Sequence, residues 1–556
     1  MPDQLSPNST LAKAVIQVYD YPMNRLYFAL IPIIFVLTSC NLAESTPVPV
    51  VTIPTHNYVN ISQPATTVPD PTATRVINNI PTNTPEPDPD TPEPTVSPYT
   101  CGVEQEGEHI QHDVVANINY TGKTIQVSQE IQYRNDEQVA LAEIVFAVEP
   151  HAYDGAFLLE SIDLNGAEPF YTLDRNRLTV RLPVTLNPGC MAQVNLEFTL
   201  TVPRIGIGAQ SFKGFFGYSD RQLNLGHWLP TPATRYNETW LLHDAQSIGE
   251  QNVLEQADWD VQLNITANSP IIIAAPGTAE ETGDNQWHYV LNSARDFTLS
   301  MSPSWVISER TSNRGVMIQV YHFGDTVRTI EENTVNGAEH ALTITTQSFE
   351  QYESLFGAYP YDRFMVVQGD FPDGMEFSGL VFVSTNWFYS FDGGIQNYLS
   401  MITIHEVAHQ WWYARVGNDA AYAPWLDEAL ATYSEYIYIE EYYPQFREWW
   451  WSFRVAWFNP QGNVDSDVYQ FESARDYINA VYLRGVQMLH NLREDIGTEE
   501  FFDLLAAYAQ AGDGQVATPE LFWSLFTEEQ LAATQGTRDN FLRNPDIVSE
   551  DSLDGE

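Results

Sequence analysis

Between residues 101 and 309, apolar and polar residues alternate along several short segments. Examples are residues 125–135 (IQVSQEIQYRN), 192–202 (AQVNLEFTLTV) and 258–267 (DWDVQLNITA), which are separated by Asn, Gly and Pro turns. An alternation with a period of two places one face of each strand on a core and the other in solvent. Repeated short strands of this kind predict an all-β domain over residues 101–309, with no evident acid–base or metal-ligating cluster.

From residue 310 onward the pattern becomes mixed and then helical. Residues 316–323 (VMIQVYHF) and 363–371 (RFMVVQGDF) are typical of buried strands. Helical spacing of apolar residues is found over residues 329–357, 480–495 and 498–511. We therefore expect a second, α+β domain over residues 310–530 that ends in helices. The polar, acidic residues 531–556 are predicted to be a disordered tail.

The N-terminus carries a short apolar run that ends at a cysteine. Residues 26–37 (LYFALIPIIFVL) follow Arg25, and twelve residues make about 18 Å of helix, too short for a bilayer core of about 30 Å. A basic residue before a short apolar run is typical of a signal peptide, with a buried core helix as the alternative. The following LTSC resembles a bacterial lipobox, so residues 1–40 are predicted to be a signal peptide with Cys40 lipidated. Met23 is an alternative start. The expected location is outside the cytoplasm, anchored to a membrane at the cell surface or envelope.

Residues 41–100 are rich in Pro, Thr and Asp and hold too little apolar surface to form a core. We expect a disordered tether here. The chain has three cysteines, and lipidation of Cys40 would leave Cys101 and Cys190 as a pair in an oxidising compartment. A disulfide between them is possible, and two buried free thiols remain the alternative.

The charge balance excludes one class of partner. The chain has 25 Lys and Arg against 73 Asp and Glu, a net charge of −48. Such a surface repels nucleic acid and anionic lipid headgroups, so we expect no nucleic-acid partner. The simplest interpretation is an acidic surface that maintains solubility, with a preference for cationic substrates as the alternative.

The clearest chemical signal is the sequence His405-Glu406-Val407-Ala408-His409. It lies in a segment with no Gly or Pro before Gly417, which favours a helix. Residues at i and i+4 share one helix face, so both imidazoles can reach one metal ion, and Glu406 can face a water beside it. Zinc accepts imidazole and carboxylate ligands and leaves a position open in catalytic sites. Two histidines bonded to their neighbours on an amphipathic helix are the alternative.

A carboxylate that could complete this site follows in the next predicted helix. Residues 424–435 (PWLDEALATYSE) begin with Pro, which suits the first position of a helix. Glu428 lies nineteen residues after His409 and could be the third ligand. Glu435 is at i+7 on the same face and is predicted either to orient a ligand histidine or to lie on a solvated face.

These residues resemble the M1 aminopeptidase family of gluzincins. That family has H-E-x-x-H, then eighteen residues, then Glu within a W-L-x-E-[GA] segment, here Trp425 to Ala429. Residues 373–377 (DGMEF) stand where the family has G-x-M-E-N, and residues 482–485 (YLRG) resemble its Y-x-K-G. The resemblance covers residues 105–525. It implies a multidomain protein, an N-terminal saddle-like all-β domain followed by a thermolysin-like α+β catalytic domain, without the large C-terminal helical domain of many members.

The resemblance also implies a role for each residue. One zinc ion per chain would be held by His405, His409 and Glu428, with Glu406 as the general base. Tyr482 would stabilise the oxyanion, with Tyr477 as the alternative. Glu376 would bind the free α-ammonium of a peptide substrate, and its neighbours Met375 and Gly374 would also be substrate-binding residues. The implied activity is removal of N-terminal residues from peptides.

Two departures keep other activities open. Asp373 replaces the first Gly of G-x-M-E-N and Phe377 replaces its Asn, and the family's P-x-x-A-R stretch is not found. A metallopeptidase without a strict N-terminal requirement, or a related zinc hydrolase, is therefore an alternative. A non-catalytic surface binding lipoprotein is a third reading, although no metal ligand or base is missing.

Overall fold

The computed structural model describes residues 98–102, 110–206 and 214–546. The predicted signal peptide, Cys40 and nearly all of the tether lie outside the described residues, and so does the end of the predicted tail. A search of the described part of the chain finds no helix that is both long enough and apolar enough to cross a membrane.

The first part of the described chain is built from strands, as the alternation predicts. The strands are β1 (Thr100–Cys101), β2 (Ile110–Asn119), β3 (Thr124–Arg134), β4 (Leu141–Ala147), β5 (Phe157–Leu164), β6 (Tyr171–Asp174), β7 (Arg177–Leu186), β8 (Cys190–Thr201), β9 (Phe216–Tyr218), β10 (Leu223–Leu225), β11 (Thr231–Pro232), β12 (Thr234–Tyr236), β13 (Thr239–Leu241), β14 (Ala257–Thr266), β15 (Ile272–Ala274), β16 (Thr278–Gly283), β17 (Gln286–Ala294) and β18 (Leu299–Ser302).

These strands form one large sheet and three smaller ones. The large sheet has the order β1-β8-β3-β2-β14-β17-β16, with β5 also pairing with β8. Two four-stranded sheets, β15-β18-β10-β9 and β11-β4-β7-β6, and the hairpin β12-β13 complete the region. Alternate side chains of β2, β3, β8 and β14 are buried, which forms one continuous apolar core. Cys101 lies opposite Cys190 in the β1–β8 ladder, and the two form a disulfide.

The second part combines a small sheet with helices. Its strands are β19 (Val306–Thr311), β20 (Met317–His322), β21 (Val327–Ile330), β22 (Asn333–Asn336), β23 (Arg363–Gly369), β24 (Gly374–Phe377), β25 (Leu380–Ser384), β26 (Gly417–Asn418) and β27 (Val516–Ala517). Its helices are α1 (Gly337–Phe356), α2 (Thr385–Ser390), α3 (Tyr398–Ala408), α4 (Trp425–Tyr442), α5 (Arg447–Trp450), α6 (Ala474–Tyr477), α7 (Arg484–Ile496), α8 (Thr498–Ala511), α9 (Pro519–Ser524), α10 (Glu528–Ala533) and α11 (Gln535–Phe541). The five-stranded sheet has the order β19-β20-β23-β25-β24, so β24 lies at its edge.

Two sequence expectations are wrong in this region. The helix predicted over 329–357 begins only at Gly337, because residues 327–336 form the β21–β22 hairpin and the Asn336 side chain caps the helix by accepting from the Glu339 N–H. The predicted disordered tail is helical up to Phe541. That residue and Leu542 are buried in the helical core, which outweighs the polar composition around them.

Helices α1, α3, α4, α7 and α8 share one large apolar core with the sheet. A smaller cluster lies between this core and the β-rich region, where Ala274 of β15 packs with Met375 and Phe377 of β24. The edge strand β24 is therefore packed between the two regions, directly beside α3.

Candidate metal centre

Helix α3 and the residue that follows it place the first two candidate ligands, His405 and His409, in the protein interior. Its N-terminus is capped by Asn397, whose side chain accepts from the Ser400 N–H, and its residues from 399 to 408 are buried. The helix ends one residue before His409, which keeps helical dihedrals (φ −64°, ψ −10°). The chain then kinks at Trp412 and Tyr413 instead of continuing as the predicted helix. His405 and His409 remain on one face because the break comes after the second histidine.

Helix α4 supplies the carboxylate. Every residue from Trp425 to Ile439 is buried, and Glu428 lies in the first turn. The His405 Nε2 and His409 Nε2 atoms are 3.1 Å apart, and Glu428 Oε2 is 3.2 Å from the former and 3.7 Å from the latter. Two helices thus bring three ligand atoms to one point.

The other nitrogen of each histidine faces an acid. His409 Nδ1 lies 2.5 Å from Asp427 Oδ1 and 3.1 Å from the Trp412 carbonyl. His405 Nδ1 lies 3.3 Å from Glu435 Oε1. Acceptors at Nδ1 hold the proton there and leave the Nε2 lone pair for a metal.

Glu435 is fully buried, and neighbouring side chains donate hydrogen bonds to its carboxylate. The Arg454 guanidinium donates to both of its oxygens, at 2.9 Å to Oε1 and 3.0 Å to Oε2, and the Trp450 indole N–H donates to Oε2 at 3.3 Å. These partners hold the pKa of Glu435 below its usual value although burial alone would raise it. Of the two roles that the sequence allowed for Glu435, the buried contact with His405 is the one found.

The donor set fits zinc on two grounds. Zinc bonds of about 2.0–2.2 Å in a tetrahedron require ligand atoms roughly 3.3–3.5 Å apart, and the three observed separations lie around this range. The electrostatics favour a cation, because hydrogen bonds to Glu428 and Glu435 raise the pKa of His405 to about 9 against the lowering effect of burial. A second set of neighbouring ligand atoms, from Glu376, Glu406 and His409, shares one histidine with the first.

Glu406 faces the same point from α3. Its carboxylate is buried, and its Oε2 has no hydrogen-bond partner within the described chain. Burial raises its pKa well above the usual value, and the Glu376 and Glu428 carboxylates add to this against the two ligand histidines. An ideal Cβ on Gly374 would lie 2.1 Å from Glu406 Oε1, so only glycine allows β24 to approach this closely.

The two candidate tyrosines lie on the same side of the site. Burial and the neighbouring Glu428 carboxylate raise the pKa of Tyr482, and its ring stacks parallel to that of His405 with 5.9 Å between centroids. Tyr482 belongs to a π-helical turn, Ile478–Leu483, a distortion often found at functional sites. The buried Tyr477 ring packs edge-on against Tyr482 at 5.5 Å.

The remaining predicted residues line β24. Glu376 is 5% exposed, and one of its oxygens lies within 4.8 Å of ligand atoms of Glu406 and His409. Met375 is turned into the apolar cluster between the two regions. Phe377 packs against the rings of Phe215 and His227, which places an aromatic group where the family pattern has an amide.

The sequence does not predict the roles of two polar residues behind the candidate ligands, Asp427 and Arg454. The one signal for Asp427 is an acid directly beside the third candidate ligand in the first turn of a helix. Arg454 has no such signal, because it reaches Glu435 from nineteen residues further along the chain.

Residues 340–541 of the sequence match the peptidase family M1 domain. Rice (Oryza sativa subsp. japonica) aminopeptidase M1-D is 23% identical over 208 residues, which cover 35% of this chain and 24% of that protein. Aminopeptidase N of Lactococcus lactis is 25% identical over 243 residues, 39% of this chain and 28% of that protein. The alignments with these curated relatives therefore span only about a quarter of their length.

Solved structures show the same fold over more of the chain. The M1 zinc metallopeptidase of Deinococcus radiodurans superposes with a TM-score of 0.57 at 17% identity, covering 78% of this chain and 94% of that one. A Glu-to-Ala mutant of the enzyme from that organism, bound to the substrate Tyr-Ser-Ala, gives a TM-score of 0.56 at 16% identity, with 79% and 97% covered. At 16% and 17% identity, the similarity to these structures shows a common fold and nothing further. Residues 340–541, which include the candidate ligands of α3 and α4, match the peptidase family M1 domain, and the chain has the fold of a solved M1 zinc metallopeptidase.

Proposed function

We propose that this protein is a zinc-dependent aminopeptidase that removes N-terminal residues from peptides. The observation that carries the proposal is the convergence of His405, His409 and Glu428 with the unpartnered carboxylate of Glu406 beside them. Peptide binding is supported by a relative, since the Deinococcus protein was solved with a bound tripeptide.

A zinc ion held by His405, His409 and Glu428 would supply Lewis-acid chemistry for the hydrolysis of an amide. Glu406 takes a proton from the attacking water and passes it to the leaving amine, a role that suits a carboxylate whose pKa burial has raised well above its usual value. The Tyr482 hydroxyl, whose ring stacks on His405, donates to the developing oxyanion. The Glu376 carboxylate accepts hydrogen bonds from the α-ammonium group of the substrate.

The test is hydrolysis of a matched pair of fluorogenic peptides, one with a free N-terminus and one N-acetylated, with and without a chelator. The proposal predicts cleavage of the free peptide only, loss of activity with the chelator, and recovery with zinc. A Glu406→Gln variant should lose activity by at least about 100-fold. Activity of this variant equal to that of the wild type would support a non-catalytic binding protein instead.

A peptidase without a strict N-terminal requirement is the second candidate. Phe377 favours it, because a ring that packs on Phe215 and His227 replaces the polar side chain that follows the glutamate in the family pattern. Equal cleavage of the free and N-acetylated peptides would establish this second activity and exclude the first.

We also propose that the protein is a lipoprotein held outside the cytoplasm through Cys40. The support is the sequence alone: a basic residue, a twelve-residue apolar run and LTSC. Growth of expressing bacteria with a labelled fatty acid should label the wild type and leave a Cys40→Ala variant unlabelled. Label in both proteins, or in neither, would contradict the proposal.

A further inference from the structure

The two faces of strand β24 have different contacts. Met375 and Phe377 belong to the apolar cluster between the two regions. The alternate positions, Gly374 and Glu376, face α3, where an ideal Cβ on Gly374 would meet Glu406 Oε1 at 2.1 Å. A glycine and a carboxylate offer little apolar surface to the helix. Apolar packing therefore does not set the distance between β24 and α3.

The side-chain amide of Gln410 connects the end of the metal-binding helix to this strand. Its Nε2 donates to the Phe377 carbonyl at 3.0 Å, and its Oε1 accepts from the Gly379 N–H at 2.9 Å. Gln410 is 1% exposed and directly follows the candidate ligand His409. It lies before the kink and four residues after Glu406, so the two share one helix face. That face presents the proposed base to the start of β24 and an amide to its end.

The turn that Gln410 binds is also attached to the β-rich region. Asp296 Oδ2 accepts from the Ser378 N–H at 3.2 Å and from the Ser378 hydroxyl at 3.3 Å. Within the part of the chain that the structure describes, no hydrogen bond other than those of Gln410 joins residues 374–379 to residues 398–410. Gln410 is therefore the polar link between β24 and the metal-binding helix.

A second glutamine makes the same two-point contact in another place. Gln222 Nε2 donates to the Gln368 carbonyl at 3.1 Å, and its Oε1 accepts from the Asp370 N–H at 2.9 Å. Its Nε2 also donates to the Ser300 hydroxyl, so its side-chain partners belong to β18, β23 and the residue after β23. Gln222 is buried as completely as Gln410. It can therefore separate the loss of a buried amide from the release of β24.

We propose that Gln410 is a positioning residue, which fixes the distance between β24 and α3. Through β24 it places the Gly374 backbone and the Glu376 carboxylate relative to Glu406. This inference rests on the proposed peptidase activity and adds to it a residue that acts through a strand and not by contact with substrate. A misplacement of about 1 Å between reacting groups can cost about 100-fold in rate, so two hydrogen bonds that hold a strand beside the proposed base can affect the reaction.

The first test compares Gln410→Met with Gln222→Met. Methionine keeps the approximate length of the side chain and removes both hydrogen-bonding atoms. Each variant leaves one buried carbonyl and one buried N–H without a side-chain partner, so both should lower the thermal midpoint of unfolding. With a free-amine peptide substrate, Gln410→Met should lower kcat/KM about tenfold to 100-fold, whereas Gln222→Met should stay within about twofold of the wild type.

Two kinetic outcomes would overturn the proposal. One is an equal loss of kcat/KM in the two variants, which would show that any lost buried amide has this effect. The other is wild-type kinetics for Gln410→Met. If either methionine variant does not fold, Gln410→Asn and Gln222→Asn give the same comparison, because the shorter side chain keeps a buried amide but cannot span the same distance.

Hydrogen–deuterium exchange gives a readout that does not depend on activity. In Gln410→Met the Gly379 N–H loses its acceptor, so exchange should increase in β24 and its turn while α3 exchanges as in the wild type. In Gln222→Met the increase should occur instead at the end of β23. A uniform increase over the whole chain in Gln410→Met would indicate a purely structural role and refute the positioning role.

Zinc affinity tests whether Gln410 acts through its neighbour His409. Asp427 orients His409 independently of Gln410, so the zinc affinity of Gln410→Met should stay within about twofold of the wild type, measured by competition with a chromophoric chelator. A loss of zinc that accounts for the loss of activity would assign Gln410 to the metal ligand and contradict the proposed action through β24.

Peptide binding separates this inference from the proposed activity. In the zinc-loaded Glu406→Gln protein, calorimetry with the dipeptide Tyr-Ala should give an affinity about tenfold lower on adding Gln410→Met, because Glu376 is displaced with β24. If the wild type hydrolyses no peptide, the peptidase is refuted, while exchange and binding still decide the role of Gln410. Unchanged binding of Tyr-Ala together with wild-type exchange would refute the role of Gln410 alone.

Discussion

The contact between Asp427 and His409 makes a sharp prediction about metal affinity. Asp427→Asn keeps the size of the side chain and an oxygen that can accept from His409 Nδ1, but it removes the charge. The two side chains are 1% and 5% exposed and their atoms are 2.5 Å apart, so solvent does little to screen the interaction. Loss of such a contact behind a metal ligand typically weakens binding 10- to 100-fold, or about 1.4–2.7 kcal/mol. Because the hydrogen bond itself can persist, we expect a value near tenfold.

The assay is competition for zinc between the protein and a chromophoric chelator, followed at pH 7.5. A matched comparison is the Glu435→Gln variant. In the wild type, the Glu435 carboxylate balances the charge of the buried Arg454 guanidinium. That variant should also lose folding stability, by about 3–5 kcal/mol, because it leaves a buried guanidinium without its carboxylate. Asp427→Asn should weaken zinc binding with little change in the thermal midpoint of the metal-free protein. A zinc affinity for Asp427→Asn equal to that of the wild type would refute the assigned role of Asp427.

Three further predictions follow from the packing. Gly374→Ala should reduce kcat/KM strongly while zinc stays bound, since the added Cβ would meet the Glu406 carboxylate at 2.1 Å; metal analysis beside kinetics checks both parts. His112 has a pKa lowered to about 3 by burial, so its stabilising contribution is present above pH 6.5 and is lost as the pH falls. Denaturant unfolding should show a loss of about 2 kcal/mol between pH 7.5 and 5 that His112→Gln lacks. Reduction of the disulfide between Cys101 and Cys190, which closes a sequence separation of 89 residues, should lower stability by about 4–5 kcal/mol, measured by unfolding with and without reductant.

Much of the metal centre could be read from the sequence because its geometry is local. His405 and His409 share a helix face at i and i+4, and Glu428 lies in the first turn of a helix marked by the preceding proline. The strands of the β-rich region could also be predicted, because alternation with a period of two leaves one face of each strand apolar whatever the partner strands are.

The parts that could not be predicted depend on distant contacts. The guanidinium of Arg454 reaches Glu435 from nineteen residues further along the chain, and nothing in the local sequence around Arg454 indicates this contact. The break after His409 has no local signal, because its segment contains no Gly or Pro; the kink lies at Trp412, which is buried and donates to the Ser434 hydroxyl. The acidic composition of residues 531–556 predicts disorder, whereas the chain is helical up to Phe541, which is buried.

The central claim is the zinc centre, and metal content tests it most directly. The full chain should retain about one zinc ion after exhaustive dialysis, and a His409→Ala variant that is folded by circular dichroism should retain far less. Glu406→Gln should keep its zinc while losing peptidase activity, because its carboxylate serves the reaction and not the metal. A wild-type protein that holds no zinc, or a His409→Ala variant that holds as much as the wild type, would contradict the assignment.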